Sequence, residues 1–461
     1  MFNFRTSFSV LVSAGILLGC AVATPPAQHE LLPLALGKTE VPAQWKHQAT
    51  VQQYDASALG FTPDASLTAL ISEALQYNAD LRIAAARVEQ SRAALKAAGG
   101  SMLPSLAIGA QVGDSALPTS SMSTTGIGLV ATWEVDIWGR LGSQNAASDA
   151  RFQASELDAA YSQQAIAAAV TRAWIATAEA TQQLKLSQQM QLLAQKQLAL
   201  IQTGQRVGRN TAQDVALNES AVAIYRHQVA ANEQVLNQTR RSLEVLLGRY
   251  PAAEVMATEQ LPIASDRLPA GVPSEIITRR PDVLAAEQRF RAAFQDVEAA
   301  QRARLPSLKL VGGVAYIEDS VIQLDPSLNN PLWALTGQLL APIFTGGQLE
   351  AQVEAKSAKQ QEAIAQYTKV ALTAFNEVEG ALANERTLLQ RQNALQSQVT
   401  QLGKSVNYAQ IQHKVGKGDQ YQLLQQQLNL SGAQANLLRV QSERLSNRVN
   451  LHQALGGHFP N

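Results

Sequence analysis

This chain of 461 residues has little of several features that many functions require. It has one cysteine, which excludes a disulfide framework and cysteine-cluster metal sites. Charged residues make up 16% of the chain, with 37 Lys+Arg against 37 Asp+Glu, so no basic surface is expected for a phosphate backbone. Aromatic residues make up only 5%, whereas alanine and glutamine fill long stretches. That bias favours α-helix, because alanine and glutamine lose little side-chain conformational entropy when a helix forms.

The motifs of common enzyme sites are also absent. The sequence contains no P-loop, no Rossmann glycine pattern and no G-x-S-x-G nucleophile elbow. The six histidines show no metal-ligand spacing. We therefore expect a protein that is not an enzyme and that uses neither a metal nor a dissociable cofactor.

The N-terminus resembles a secretory signal peptide. Its apolar run from Phe8 to Leu18 is shorter than the roughly 20 residues of a membrane-spanning helix. Leu17-Leu18-Gly19-Cys20 resembles a bacterial lipobox. We therefore expect residues 1–19 to be removed as a signal peptide and Cys20 to carry an N-acyl group and an S-diacylglycerol at the start of a lipidated extension, 20–60. Ala21, where an Asp could stand, is typical of lipoproteins sent to the outer membrane. In the alternative interpretation the cysteine belongs to a discarded leader.

The rest of the chain is a duplication. Residues 78–106 match residues 280–308, both ending in Leu-Pro-Ser-Leu, at an offset of 202. Later pairs, including Gly139 with Gly347, lie at an offset of 208. We expect a first repeat over 61–248, a linker over 249–272, a second repeat over 273–456 and a tail over 457–461.

Each repeat predicts a very long helix. No proline occurs from Thr119 to Tyr250 or from Ile343 to Phe459, and no glycine lies between Gly142 and Gly204. One helix can therefore run for about 60 residues, or about 90 Å. Its apolar residues recur every three, four or seven positions, so it should pack on other helices as a coiled coil. A shorter helix returns after a glycine turn.

A β-hairpin is expected in each repeat, over about 103–138 and 305–346. One face should be apolar and the other mostly polar or small, with Val130 and Val311 as exceptions. The residues expected on the apolar face are Ile127, Leu129, Ala131, Trp133, Val135, Ile137, Leu308, Leu310, Val314, Tyr316, Trp333, Leu335 and Leu339. Such strands are typical of transmembrane barrels, and four cannot close one, so several chains would share it. Alternatively, soluble hairpins pack on the helices, with Trp133 and Trp333 as core aromatics.

One segment resembles a known family. Residues 273–287, which include Arg279-Arg280-Pro281-Asp282, resemble the segment that opens the second repeat of OprM/NodT-type lipoproteins in the TolC-like outer-membrane efflux family. The resemblance implies a mainly α fold with a small β part. It also implies a homotrimer with an α-helical periplasmic tunnel and a shared 12-stranded barrel. The implied partners are a periplasmic adaptor, an inner-membrane pump and outer-membrane lipid.

The glycine turns between the helices are the candidate functional residues. The resemblance implies that they form the periplasmic tips that meet the adaptor, and that Asp419 rings a narrow gate and sets its selectivity. A glycine cap explains the turns without function, and Asp419 suits a helix N-cap equally well. The residues expected to dock the adaptor are Arg206, Val207, Gly208, Lys414, Val415, Gly416 and Lys417.

The function expected from these features is a passive exit duct for small molecules across the outer membrane, opened by the adaptor. One alternative is a periplasmic coiled-coil lipoprotein, either an adaptor or a structural tether, but the duplicated helix and hairpin argue against it. The other is the outer-membrane duct of a type I protein secretion system. The exported compound cannot be read from the sequence, because a solvated lumen has no tailored pocket.

Overall fold

The structure is a computed structural model that describes residues 22–36, 41–42, 44–46, 61, 65–117, 120–258, 260–265, 273–319 and 332–457. The expected signal peptide, Cys20, most of the extension after residue 36 and the tail beyond residue 457 lie outside the described residues. Tyr316 lies in a described strand, but its side chain is also outside the described part.

The described chain is mainly helical with one small sheet. Its nine helices are α1 (Gln28–Leu36), α2 (Ala65–Tyr77), α3 (Ala79–Gly100), α4 (Arg140–Arg206), α5 (Ala212–Leu246), α6 (Pro273–Arg279), α7 (Pro281–Arg302), α8 (Gln348–Lys414) and α9 (Gln420–Ala454). Its four strands are β1 (Ser105–Leu117), β2 (Ser120–Val135), β3 (Ser307–Asp319) and β4 (Leu332–Leu340).

The duplication is visible in the lengths of the elements. Helices α4 and α8 both have 67 residues, and the returning helices α5 and α9 both have 35. Helices α3 and α7 both have 22 residues. The predicted long helix is confirmed and runs slightly past the glycines that bounded the prediction.

The four strands form one antiparallel sheet in the order β1-β2-β3-β4. The two hairpins are therefore joined by pairing of β2 with β3, in which Leu129 lies opposite Val314. The prediction that Ile137 continues the apolar face of β2 is wrong. Its backbone N–H donates to the carbonyl of Val135 at 2.9 Å, so the chain has already turned out of the strand.

The chain divides into two compact units. The first contains the sheet and consists of Met1–Glu40, Ala86–Leu157 and Leu284–Val370. The second consists of Val41–Ala85, Asp158–Val283 and Ala371–Asn461. The core of the second unit centres on Trp174, Ile175, Leu243 and Leu247, each at most 1% exposed.

The second unit holds both junctions at which a short helix meets a returning helix. In the first repeat Asn78 donates from Nδ2 to the carbonyl of Leu246 at 2.8 Å. In the second repeat the equivalent residue, Arg280, donates to the carbonyl of Ala454 at 3.1 Å. The same contact is therefore made by a neutral amide in one repeat and by a guanidinium in the other.

Candidate membrane sheet and helical turns

The sheet carries an exposed apolar face across all four strands. One row, which runs through the paired positions Ile108, Leu129, Val314 and Trp333, has side chains that are 74, 47, 46 and 77% exposed. A second row contains Leu106 and Leu335, which are 71 and 73% exposed. Large contiguous apolar surfaces of this kind mark contact with a membrane or a protein partner.

The opposite face has mostly polar and small side chains, with Val130, Val311 and Leu340 as exceptions. Glu134, Lys309 and Gln338 form one row across three strands, and Gly109, Gly128 and Ala315 form another. A Cβ added to Gly128 would lie 2.6 Å from the Cβ of Ala315, so this row leaves no room for a side chain at position 128. The predicted alternation is confirmed for the described side chains other than Ile137, and the sheet separates an apolar face from a polar one.

Two tryptophans lie near the end of the sheet where the helices begin. Trp133 donates from its indole to the carbonyl of Met102 at 3.0 Å, and Trp138 donates to the carbonyl of Pro306 at 2.7 Å. Both side chains are more than one-third exposed. Indoles with one satisfied N–H and an exposed ring are typical of the boundary between apolar and polar surroundings.

The start of α4 is fixed to this end of the sheet by Asp136. Its carboxylate accepts hydrogen bonds from the backbone of Leu141 at 3.0 Å and of Gly142 at 2.7 Å. A carboxylate at a helix N-terminus satisfies free N–H groups and complements the helix dipole. Gly139, at φ 75, provides the left-handed turn between strand and helix.

The two predicted tips have the same backbone geometry. Gly208 has φ 73 and Gly416 has φ 72, and each ends its helix as a left-handed cap. Arg209 donates from its N–H to the carbonyl of Gly204 at 2.7 Å, and Lys417 makes the equivalent bond to Gln412 at 2.9 Å. Both turns are therefore glycine caps, whatever else they do.

The side chains predicted to dock a partner are exposed at these turns. Val207 and Val415 are 66 and 61% exposed, and Lys414 and Lys417 are exposed as well. The Arg206 side chain is also exposed, and its guanidinium donates a hydrogen bond to the hydroxyl of Thr203 at 3.0 Å.

Asp419 is the N-cap of α9. Its carboxylate accepts the backbone N–H of Tyr421 at 3.0 Å, so the capping role is observed. The equivalent residue of the first repeat is Thr211, which forms a reciprocal capping box with Asp214. Gln422 replaces that second acid in the second repeat. The Asp419 side chain remains exposed.

The second unit also buries a charged cluster that sequence reasoning missed. Glu385 is 3% exposed and accepts hydrogen bonds from Arg444 and Arg448, both at 2.7 Å. Burial alone would raise the pKa of Glu385, but the hydrogen bonds and charges of Arg448 and Arg444 lower it below its ordinary value. One sequence signal could have identified this cluster. Glu385, Arg444 and Arg448 lie at helix positions where the repeating pattern expects apolar residues.

Another missed residue is Glu244, which is 2% exposed at the end of α5. It accepts backbone hydrogen bonds from Ala253, Glu254 and Val255 at 2.7 to 2.9 Å. Ala253 has φ 65, an unfavourable conformation for alanine, which this set of hydrogen bonds holds in place. Glu244 therefore anchors the start of the linker to the first repeat.

Two negative observations apply to the described part of the chain. None of the helices there is both long and apolar enough to cross a membrane. Nor do three or more His, Cys, Asp or Glu side chains come together there in a group that could hold a metal ion.

Comparison with known proteins identifies the family. The outer membrane efflux protein family model matches residues 70–249 and 272–457. The pyoverdine export outer membrane protein OpmQ of Pseudomonas aeruginosa is 30% identical over 97% of this chain and 96% of the relative. The probable efflux pump outer membrane protein TtgC of Pseudomonas putida is 29% identical over 98% of this chain and 96% of the relative.

A solved structure agrees with this result. The open state of the Neisseria gonorrhoeae MtrE outer membrane channel superposes with a TM-score of 0.81 at 25% identity, covering 95% of this chain and 98% of that chain. That structure is an outer membrane channel, and the superposition shows that this chain, with its long helices and one small sheet, shares its fold. The chain therefore belongs to the outer membrane efflux protein family and is an outer-membrane channel component of an efflux system.

Proposed function

We propose that the chain acts as a homotrimer in which three four-stranded sheets close one 12-stranded barrel in the outer membrane. The observation that carries this proposal is the exposed apolar face of a sheet with two free edges, since β1 and β4 each have one partner strand among the described residues. In lipid, an unpaired edge costs several kcal/mol for each unsatisfied backbone group. Closing a shared barrel removes those edges.

The polar face of the sheet then faces the lumen, and the long helices extend the duct into the periplasm as a tunnel. Glu134, Lys309 and Gln338 would line the water-filled interior. The duct itself is passive, and an inner-membrane pump supplies the energy for export. The substrates are small molecules, the class that pyoverdine export and efflux pump relatives handle.

A lipid on Cys20 anchors the protein beside the barrel. The described chain begins at Val22, whose Cγ2 lies 3.1 Å from the position of a Cβ built on Gly142. The carbonyl of Ala23 accepts a hydrogen bond from Gln295 at 2.6 Å. These contacts support the anchor, because they hold the chain immediately after Cys20 next to the start of α4, where the sheet ends.

The exposed turns at residues 206–208 and 414–417 dock the periplasmic adaptor, and Asp419 forms a ring of three carboxylates at the gate. The support for docking is that two equivalent turns present exposed valine and cationic side chains. The N-cap bond uses one carboxylate oxygen of Asp419, so the other oxygen and the charge remain available to cations. Adaptor binding would open the gate by shifting the helices between two packed arrangements.

A duct for polypeptide secretion is the alternative within the channel class. The relatives named for pyoverdine export and for an efflux pump favour small molecules. The adaptor or tether alternative does not fit a member of the outer membrane efflux protein family.

The gate is tested by Asp419→Asn, since asparagine retains N-cap ability and removes the charge. Purified channels in planar bilayers should lose part of their cation preference, while the helix content stays unchanged. Asp214→Asn, an equivalent change in the capping box of the first repeat, is the matched control and should leave ion preference as in the wild type. If Asp419→Asn channels show wild-type conductance and cation preference, Asp419 is a helix cap and not a gate.

A further inference from the structure

The first unit contains a cavity of about 380 Å³ at the end of the sheet where the helices begin, here called the base cavity. Part of its lining belongs to the polar face of the sheet, namely Glu134, Ser307, Lys309 and Leu340. Its volume lies within the range of roughly 300–1,000 Å³ that is typical of small-molecule pockets. Apolar side chains complete the lining, among them Ile137, Leu305 and Leu349.

Most of the charged groups that line the base cavity are already bound to a partner. The carboxylate of Glu134 accepts a hydrogen bond from Arg140 at 2.5 Å. The carboxylate of Asp136 accepts two backbone N–H groups at the start of α4. The guanidinium of Arg302 pairs with Glu298 at 3.1 Å.

Lys309 is the exception among the charged residues of this lining. Its side chain is exposed, and its ammonium group has no hydrogen bond or ion pair within the described part of the chain. Its neighbours across the strands are Glu134, which Arg140 already neutralises, and Gln338, which carries no charge. The cavity therefore presents one uncompensated positive charge beside an apolar wall.

No nearby acid of the sheet offsets this charge. Glu134 and Lys309 are the only charged residues among the strand positions whose side chains the structure describes. The nearest paired position of another strand acid, Asp319 with Thr124, is ten residues along β2 from Glu134 (134 minus 124), or about 34 Å. Salt at about 0.1 M screens charges beyond about 10 Å, so such distant acids leave the field at Lys309 positive.

We propose that Lys309 and the base cavity bind an organic anion, with the ammonium group holding a carboxylate and the apolar lining holding the body of the molecule. This inference rests on the shared barrel proposed above, which places the site in the lumen. Three copies would set three such sites at one level of the duct. Rings of basic side chains select anions in pores, so this level favours anionic cargo among the small molecules that the duct carries.

The test is binding of benzoate to the detergent-extracted protein, measured by saturation-transfer difference NMR. Wild-type binding should be saturable. Lys309→Gln should raise the half-saturating concentration about threefold, which corresponds to about 0.6 kcal/mol and is typical of one exposed ion pair. Lys309→Arg keeps the charge and should bind benzoate as the wild type does. Benzamide, which has the same ring without the charge, should not distinguish wild type from Lys309→Gln.

Lys359→Gln is the matched control, because it removes an exposed lysine of α8 outside the sheet. Its benzoate affinity should equal that of the wild type. If Lys309→Gln does not assemble, Gln338→Lys takes its place, since it adds a second cation to the same row of the sheet. Gln338→Lys should lower the half-saturating concentration, and an unchanged value would overturn the site.

The place of the site in the ion path is measured in planar bilayers under a KCl gradient. Lys309→Gln should shift the zero-current potential towards greater cation selectivity. A benzoate affinity that depends on Lys309 together with an unchanged potential would overturn the role in cargo selection.

The native mass of the same preparations separates this inference from the barrel. A trimer with equal benzoate affinity in wild type and Lys309→Gln would overturn the anion site and leave the shared barrel standing. A monomer that binds benzoate through Lys309 would overturn the barrel and keep the site. A monomer without saturable binding would overturn both.

Discussion

Among single residues, Arg280 shows how the second unit is held together. Its side chain is 2% exposed and donates to Asp282 at 2.7 Å and to Glu377 at 2.6 Å. These bonds outweigh burial and raise the pKa of the guanidinium, so it stays charged. It also bonds to the carbonyl of Ala454, so it joins the start of α7 to the middle of α8, through Glu377, and to the end of α9.

Arg280→Ala should lower the free energy of unfolding by about 3 kcal/mol, because it removes a buried cation that bonds to Asp282, Glu377 and the carbonyl of Ala454 and leaves that carbonyl without this donor. The measurement is urea unfolding in detergent, followed by far-UV circular dichroism. Arg391→Ala is the control, since Arg391 and Glu443 form a pair that is about half exposed. That control should cost less than about 1 kcal/mol. Equal losses in the two variants would contradict the role of Arg280.

Glu385 should make stability depend on acid pH. The folded-state pKa of Glu385 is lowered, so its contribution is fully present above the unfolded-state pKa of about 4.3 and is lost as the pH falls through the folded-state value. Glu385→Gln should therefore be less stable than the wild type near neutral pH and should lose less stability on acidification. Urea unfolding at about pH 7 and about pH 3 measures both effects.

Glu443→Gln is the matched control for Glu385, because it removes a carboxylate from an exposed pair on α9. Its free energy of unfolding should fall on acidification by as much as that of the wild type. If Glu385→Gln also loses as much stability on acidification as the wild type, the buried cluster does not account for the pH effect.

At the scale of elements, the two faces of the sheet should respond differently to charge. Leu129 and Val130 are neighbours on β2, 47 and 40% exposed, and they lie on opposite faces. In the proposed barrel, Leu129→Arg places a charge in lipid, which costs about 2–4 kcal/mol near the middle of the membrane. Val130→Arg places it in the lumen.

The amount of folded protein in the outer-membrane fraction measures this difference. Leu129→Arg should reduce it strongly, whereas Val130→Arg should keep assembly and alter ion selectivity. Equal recovery of the two variants would mean that the apolar face does not contact lipid.

The elements themselves could be predicted from the sequence for physical reasons. Absence of proline and the glycine turns at Gly208 and Gly416 fix where long helices can run and stop. Alternation over the strands places Leu129 and Trp333 on one face. The pairing of β2 with β3 could not be derived in the same way, because both hairpins have apolar faces that many registers would satisfy.

The missed residues depend on distant parts of the chain coming together. Glu385 meets Arg444 across 59 residues, and Gln295 meets Ala23 across 272. The carboxylate of Glu244 accepts hydrogen bonds from backbone N–H groups of the linker. Backbone groups are the same in every residue, so the sequence does not reveal this contact. The sequence predicted either an N-cap role or a gate role for Asp419. The N-cap role could be predicted because aspartate is a preferred residue where a turn leads into a helix. Its gate role stays a prediction.

At the scale of the whole molecule, the two repeats are packed unequally within the described chain. Helix α7 is covered by two long helices, whereas its equivalent, α3, buries no residue anywhere along its described length. The sheet likewise ends in two strands that each have one partner among the described residues. The homotrimer proposed above would account for both features, because neighbouring copies would cover α3 and pair with the two edge strands.

The most direct test of this account is the native mass of the protein extracted in mild detergent from outer membranes, measured beside a Cys20→Ser variant. The account predicts a trimer for the wild type. It also predicts that Cys20→Ser, once inserted, is still a detergent-requiring trimer, because the barrel and not the lipid holds the copies together. A Cys20→Ser protein that is monomeric and soluble without detergent would contradict the shared barrel.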